Sequence, residues 1–327
     1  MRPDELPGTL LACRLHRCFV LLSLACLGNF PLRAQVDFGG IVELDSVVIT
    51  ASKAGFNVED FIDLVRNDAS FYQAFRNLRF LSYVFHNSIV FFDKDGQPKV
   101  HYESWAEQLS DGDCRSMKIL EENITGKYYK SKRKPRYYTT RLYERLFYTK
   151  GTICESIRAQ NQNGQKKKGM AKHVEELKKL LFRPGEKAKV PLIGKKTAIF
   201  EERMHRYYDY RISSAAYQDS IDCYVFTVAL KPQYLKKKKG KTVIKFLETY
   251  FEKETLQVIA RNYQLQHKTA LFDFDVFMKI KLQKWGGLYL PAFIQYDGTW
   301  DVAFKKRETA RFEMRIEEIR INSTAKQ

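Results

Sequence analysis

Side chains able to do covalent or acid–base chemistry are few in this sequence, and they are scattered. His86, His101, His173, His205 and His267 stand apart, and none falls in the HExxH spacing that sets two imidazoles on one helix face around zinc. There is no G-x-S-x-G elbow and no Gly-rich phosphate loop. Cys154 or Cys223 with a distant histidine is a conceivable nucleophile pair, but Cys223 lies in an alternating run and reads as a small buried residue. Asp273 and Asp275 are two apart, hence on one strand face, and Asp209 could join them in the fold. Paired carboxylates serve glycoside hydrolysis, yet carboxylates on a polar face among lysines are ordinarily solvated ion pairs. Asp93-x-Asp95-Gly96 opens like a calcium loop but lacks the later ligands, so a hairpin turn is the better reading. The expectation is a protein without catalytic residues, metal or cofactor.

Charge is the stronger signal. Lys and Arg number 56 against 38 Asp and Glu, for a net +18, which favours polyanionic partners. The densest run, Lys130 to Arg136, contains Lys132, Arg133, Lys134 and Arg136 and is flanked by Tyr128, Tyr129, Tyr137 and Tyr138. Basic residues interleaved with aromatic rings suit a nucleic-acid groove, an anionic lipid headgroup or membrane surface, or simply a solvated loop. The N-terminus decides among the ligands. Arg14, His16 and Arg17 precede the apolar run Cys18 to Leu27, and Ala34 offers a small residue at a cleavage point, the pattern of a signal peptide. Export to the periplasm, or to the periplasmic face of the outer membrane, argues against nucleic acid and leaves peripheral membrane association open. Leu24-Ala25-Cys26 partly matches a lipobox, although Ser23 departs from it. Loss of residues 1–34 removes three cysteines and leaves Cys114, Cys154 and Cys223, enough for one disulfide with one thiol over.

These groups must be positioned by a mostly β chain. Asn57 with Asp60 reads as a capping box opening a helix whose Val58, Phe61, Ile62, Val65, Ala69 and Tyr72 form one apolar stripe, with a break near 67–70. Alternation follows from Phe80, with a turn at Asp93–Gly96, and residues 114–150 read as strand-rich. A second helix carries Ala171, Val174, Leu177 and Leu181 and stops at Pro184-Gly185. From Tyr207 strand candidates succeed one another. Phe272, Phe274, Val276, Met278, Ile280 and Leu282 alternate with polar neighbours, and turns are read at Trp285–Gly287 and Asp297–Gly298. About seven meander strands with one apolar face need a cover, and the two amphipathic helices are the obvious one.

Leu44 to Thr50 (LDSVVIT) resembles the segment near the N-terminus of Bacteroidota TonB-dependent transporters, after their carboxypeptidase-regulatory-like domain; that resemblance implies strand addition to a TonB-linked or outer-membrane partner through Val47, Val48 and Ile49. The chain is too short for such a transporter's barrel. Wording such as Leu181-Phe-Arg-Pro-Gly185 and Tyr296-Asp-Gly-Thr-Trp300 is similar to that of uncharacterised Bacteroidota cell-envelope proteins. The order of helix, long antiparallel run and inserted helix resembles the LolA/LolB-type half-barrel of lipoprotein carriers, which implies an apolar cavity for acyl chains.

The fold class expected is α+β, mainly β: a curved antiparallel meander sheet, an open half-barrel, covered by one or two amphipathic helices. Residues 1–34 are read as signal peptide, 35–55 as a β-prone tether, 56–321 as a single domain with a polar and helical insertion at 150–186, and 322–327 as a tail. The functional expectation is a non-catalytic exported envelope protein that binds a lipid, lipoprotein or other apolar ligand on Phe272, Phe274, Val276, Met278, Phe61 and Ile62. The alternative is an interaction module that docks an outer-membrane transporter through residues 44–50.

Overall fold

Asn57 begins the first helix, α1 (Val58–Asn67), as its spacing predicts: the Asn57 side chain accepts from the Asp60 amide at 3.0 Å, and the Asp60 carboxylate accepts from the Asn57 amide at 2.7 Å. Two backbone donors that a helix start would leave unpaired are thereby satisfied. The helix stops where Asp68 turns its carboxylate onto the next segment, accepting from the Ser70 amide at 2.9 Å and the Ser70 hydroxyl at 2.6 Å; α2 (Ser70–Asn77) follows. The break therefore falls in the predicted stretch.

The computed structural model describes residues 41–42, 55–156, 180–187, 194–235, 240–268, 272–302 and 306–320. The strands are β1 (Ile41–Val42), β2 (Ser82–Phe92), β3 (Pro98–Asp111), β4 (Cys114–Thr125), β5 (Ile153–Cys154), β6 (Tyr208–Tyr217), β7 (Ile221–Leu230), β8 (Ile244–Glu252), β9 (Val258–His267), β10 (Phe272–Trp285), β11 (Leu288–Val302) and β12 (Glu308–Arg320). They form one antiparallel sheet in the order β1-β6-β7-β8-β9-β10-β11-β12-β2-β3-β4-β5. Two consecutive meanders are joined where the last strand meets the second, with Phe312 opposite Ile89 and Met314 opposite Asn87. The sheet is open, and the expected class is what is found. Among the described residues no helix is long and apolar enough to cross a membrane.

Two local readings are corrected. Residues 138–147, read as strand, form helix α3 (Tyr138–Phe147). Asp297–Gly298, read as a turn, lies inside β11, paired with Phe277 and Val276 on one side and Arg311 and Ala310 on the other. Gly298 is there for space: a Cβ at that position would run into the Tyr296 ring. The other turns form as expected. Asp93 caps its turn by accepting from the amides of Asp95 and Gln97, each at 2.9 Å, and Gly96 supplies φ +79°. The expected second helix lies mostly outside the described residues, but its stop at Pro184-Gly185 is a turn.

The core divides into two apolar clusters. The larger packs α1 and α2 on one face of the sheet: Phe61 meets the rings of Tyr224, Phe226 and Phe251 at 5.6–5.8 Å. Burying a side chain of this size is worth about 1.5–3 kcal/mol, and each such ring pair about 0.5–1.5 kcal/mol more. The smaller cluster lies under α3 and is largely aromatic, built on Ile89, Phe91, Val100, Tyr102, Ala310 and Phe312 with Tyr128 and Tyr143.

Candidate functional site

The basic run is held in place by rings. Tyr128 is buried and stacks on Tyr102 of β3 at 4.3 Å; Tyr137, at the far end of the loop, stacks on Phe91 of β2 at 3.7 Å. Between these anchors the chain turns back on itself. The Lys130 amide donates to the Lys134 carbonyl at 2.8 Å, the Arg136 amide donates to the Tyr128 carbonyl at 3.0 Å, and Tyr129 bridges Pro135. Helix α3 starts at once. Glu308 of β12 caps it from a distance, accepting from the amides of Tyr138 at 2.8 Å and Thr139 at 2.9 Å and from the Thr139 hydroxyl at 2.7 Å. Its inner face is fixed by Tyr143, which stacks on Phe312 at 5.0 Å and donates its hydroxyl to Asn87 at 2.7 Å.

That rotation of α3 turns Arg141 and Arg145, four residues apart, toward the loop. Lys130, Lys134, Pro135, Arg141, Glu144, Arg145 and Lys150 line a cleft of about 400 Å³. Its single carboxylate is engaged: Lys150 donates to Glu144 at 2.7 Å. Lys130, Lys134, Arg141 and Arg145 have no carboxylate partner among the described residues. Tyr128, Tyr143 and Tyr148 belong to the aromatic cluster behind the loop and α3, and burial there raises their phenol pKa values further above neutral.

Of the basic residues singled out from sequence, Lys134 lines this cleft. Arg133 pairs instead with Glu122 and lies over the Tyr129 ring at 4.7 Å. Lys132 and Arg136 are exposed and do not line it. Arg141, Arg145 and Lys150 join Lys134 here because residues 138–147 are helical and pack beside the loop, a tertiary arrangement that the strand-rich reading of 114–150 does not contain. An arginine pair at i, i+4 was the signal available.

The apolar candidates lie elsewhere. Phe61 and Ile62 are buried from α1; Phe274 and Val276 are buried from β10, with Phe274 stacked on Trp300 at 5.4 Å; Met278 is half-buried beside them. Phe272 is the first residue of β10, and its side chain lies outside the described set, as do Val47, Val48 and Ile49. A second cleft, of about 520 Å³, runs over α1 and is lined in part by Asp60, Asp63 and Asp68, whose carboxylates already serve the capping box, Arg66 and Arg261.

The remaining chemistry-bearing groups do not assemble. Asp209 is on β6 and Asp273 and Asp275 on β10, with β7, β8 and β9 between them. Cys114 and Cys154 form a disulfide, so the nearby Asp113 finds no thiolate to share a metal with. Cys223 is the one free thiol among the described residues, and burial pushes its pKa up to about 12. His101 contacts Glu103 at 3.2 Å and His86 packs on Trp105 at 5.0 Å, while His205 and His267 sit on other elements.

No family model matches this chain, and no curated protein does. Among solved structures it is similar to an outer membrane lipoprotein-sorting protein domain from Vibrio parahaemolyticus, at 7% identity over 85% of this chain and 96% of that one, with a TM-score of 0.27. It is also similar to a LolA superfamily protein from Nitrosomonas europaea, at 9% identity over 74% and 86% with a TM-score of 0.21. A DUF1329 family protein from Desulfovibrio piger matches at 11% identity over 84% and 94%, with a TM-score of 0.24. Scores this low carry no argument about the ligand, which rests on the residues above.

Proposed function

We propose that this chain is an exported, non-catalytic envelope protein that binds a lipid, or the acyl-bearing end of a lipoprotein, against the helix-covered face of its sheet. The observation that carries this reading is the nature of the cover. A sheet must bury its apolar face, and here α1, α2 and α3, of ten, eight and ten residues, do so in place of a second sheet. One helix of such a cover can move without breaking a single ladder hydrogen bond, and α1 is the one whose departure bares an apolar strip while α3 stays anchored. Moving α1 uncovers Tyr224, Phe226 and Phe251, an aromatic strip that an acyl chain replaces Phe61 in filling.

Export is supported by the signal-peptide pattern of residues 1–34 and by the Cys114–Cys154 disulfide, a bond that persists in oxidising compartments. The test is native mass spectrometry of the protein purified from a periplasmic fraction, before and after organic extraction. A lipid-sized adduct that extraction removes is the expected result. A clean apo mass under gentle ionisation, together with no uptake of a fluorescent fatty acid, overturns the reading.

A further inference from the structure

We propose that the cleft between the 128–136 loop and α3 is a binding site for a phosphate group carrying at least two negative charges; this inference rests on the lipid reading above and assigns the phosphate to a lipid headgroup.

Three observations lead there. The first is charge. Lys130, Lys134, Arg141, Arg145 and Lys150 face a single carboxylate, Glu144, which Lys150 already neutralises. Four cations remain, and a carboxylate ligand would answer one of them. A phosphomonoester brings a charge of about −1.5 to −2 and three strong acceptor oxygens, which match two guanidinium forks and two ammonium groups.

The second is rigidity. Both walls are fixed from behind: the loop by the Tyr128–Tyr102 and Tyr137–Phe91 stacks, and the helix by Glu308 at its start and the Tyr143–Phe312 stack at its middle. The cations are thus gathered before any ligand arrives, which lowers the ordering cost of binding. At about 400 Å³ the cleft is of small-molecule size.

The third is the setting. Tyr129, Tyr137 and Tyr138 lie half-buried in the loop and helix start that build the cleft, and Arg141 lies over the Tyr138 ring at 5.9 Å. Amphipathic rings beside cations suit the boundary between headgroup and acyl chain, so the phosphate is assigned to a lipid rather than to a free anion.

The experiment compares three full-length proteins: wild type, R141Q/R145Q, and K132Q/R136Q, which removes the same charge from the same region outside the cleft. Binding to pyrophosphate is measured by calorimetry, and binding to phosphatidylcholine vesicles with and without phosphatidic acid by sedimentation, after thermal melts confirm that each variant is folded. Wild type is expected to bind pyrophosphate and the phosphatidic-acid vesicles. R141Q/R145Q is expected to raise both Kd values about tenfold or more, and K132Q/R136Q to leave them nearly unchanged. Equal losses in the two variants overturn the proposal, since diffuse surface charge then explains binding. No binding of either probe to wild type, with the extractable adduct still present, also overturns it and leaves the lipid reading standing. Pyrophosphate binding without vesicle binding or adduct upholds the phosphate site and moves its source to a soluble ligand.

Discussion

The Arg261 guanidinium, on β9, reaches the Asp68 carboxylate between α1 and α2 at 3.3 Å, with side-chain exposures of 0% and 5%. It also lies 4.5 Å over the Phe71 ring, and its Nε donates to the Thr249 hydroxyl at 3.3 Å. Its Nη1 has no hydrogen-bond partner among the described residues. One buried charge thus latches the joint of the helical cover to the middle of the sheet. Asp68→Ala leaves that charge unpaired and strips the helix start of its acceptor, and it is expected to cost about 3–5 kcal/mol. Arg261→Met is expected to cost less, because Asp68 keeps the Ser70 amide and hydroxyl. Chemical denaturation of the two single variants and the double one measures the coupling, and additive losses would remove the latch from the account.

Tyr143 serves α3 twice, by its ring on Phe312 and by its hydroxyl on Asn87. Tyr143→Phe removes the hydrogen bond alone and is expected to cost about 0.5–1.5 kcal/mol, somewhat more because Asn87 is buried. Tyr143→Ala also removes the ring and is expected to cost about 3–5 kcal/mol. Urea midpoints at constant slope read both values. Phosphate-probe binding should survive the first change and weaken in the second, since the helix that presents Arg141 and Arg145 loses its seat.

The same residues explain what could be read in the sequence and what could not. Phe274, Val276, Ile280 and Leu282 betray β10 because a strand with one buried face must alternate, and all four are buried. Asn57 and Asp60 betray α1 because a capping box is local. Helix α3 was opaque: Thr139, Thr140, Tyr138 and Tyr143 favour strands by side-chain preference, and what makes them helical is Glu308, some 169 residues away. The basic cleft was lost with the helix. Gly298 read as a turn because glycine punctuates chains; its actual reason, the Tyr296 ring folded against it with Trp300 Nε1 donating to the Tyr296 hydroxyl, is a packing fact. The pairing of β12 with β2 is likewise non-local, although it joins the two meanders into one sheet.

His267 gives the fold an acid-side sensitivity. Burial holds its imidazole pKa below the usual value, helped by Lys196 and Lys245 and opposed by Asp273. Because the folded state resists the proton, the unfolded chain takes it up first, at about pH 6.5. Stability is therefore full above that pH and is lost as pH falls from there toward the lowered folded value. Thermal melts between about pH 7 and about pH 5 should show a smaller loss for His267→Gln than for the wild type. A parallel decline in both would mean that other groups set the slope.

The Cys114–Cys154 disulfide joins β4 to β5 across a sequence separation of 40. Closing a loop of that length restricts the unfolded chain, so Cys114→Ser/Cys154→Ser is expected to lower stability by about 2–4 kcal/mol. The native contacts beside it outlast the bond. Glu155 accepts from Arg115 at 2.5 Å and from Arg79 at 3.4 Å, and Asp113 accepts from the Ser156 amide at 3.0 Å. The variant should thus keep the native fold by circular dichroism while its denaturation midpoint drops. Adding Glu155→Gln to it should cost more than Glu155→Gln alone in the oxidised protein, because one tether then lacks the other. Equal costs in the two backgrounds would mean that the disulfide and the Glu155 clasp hold this edge independently.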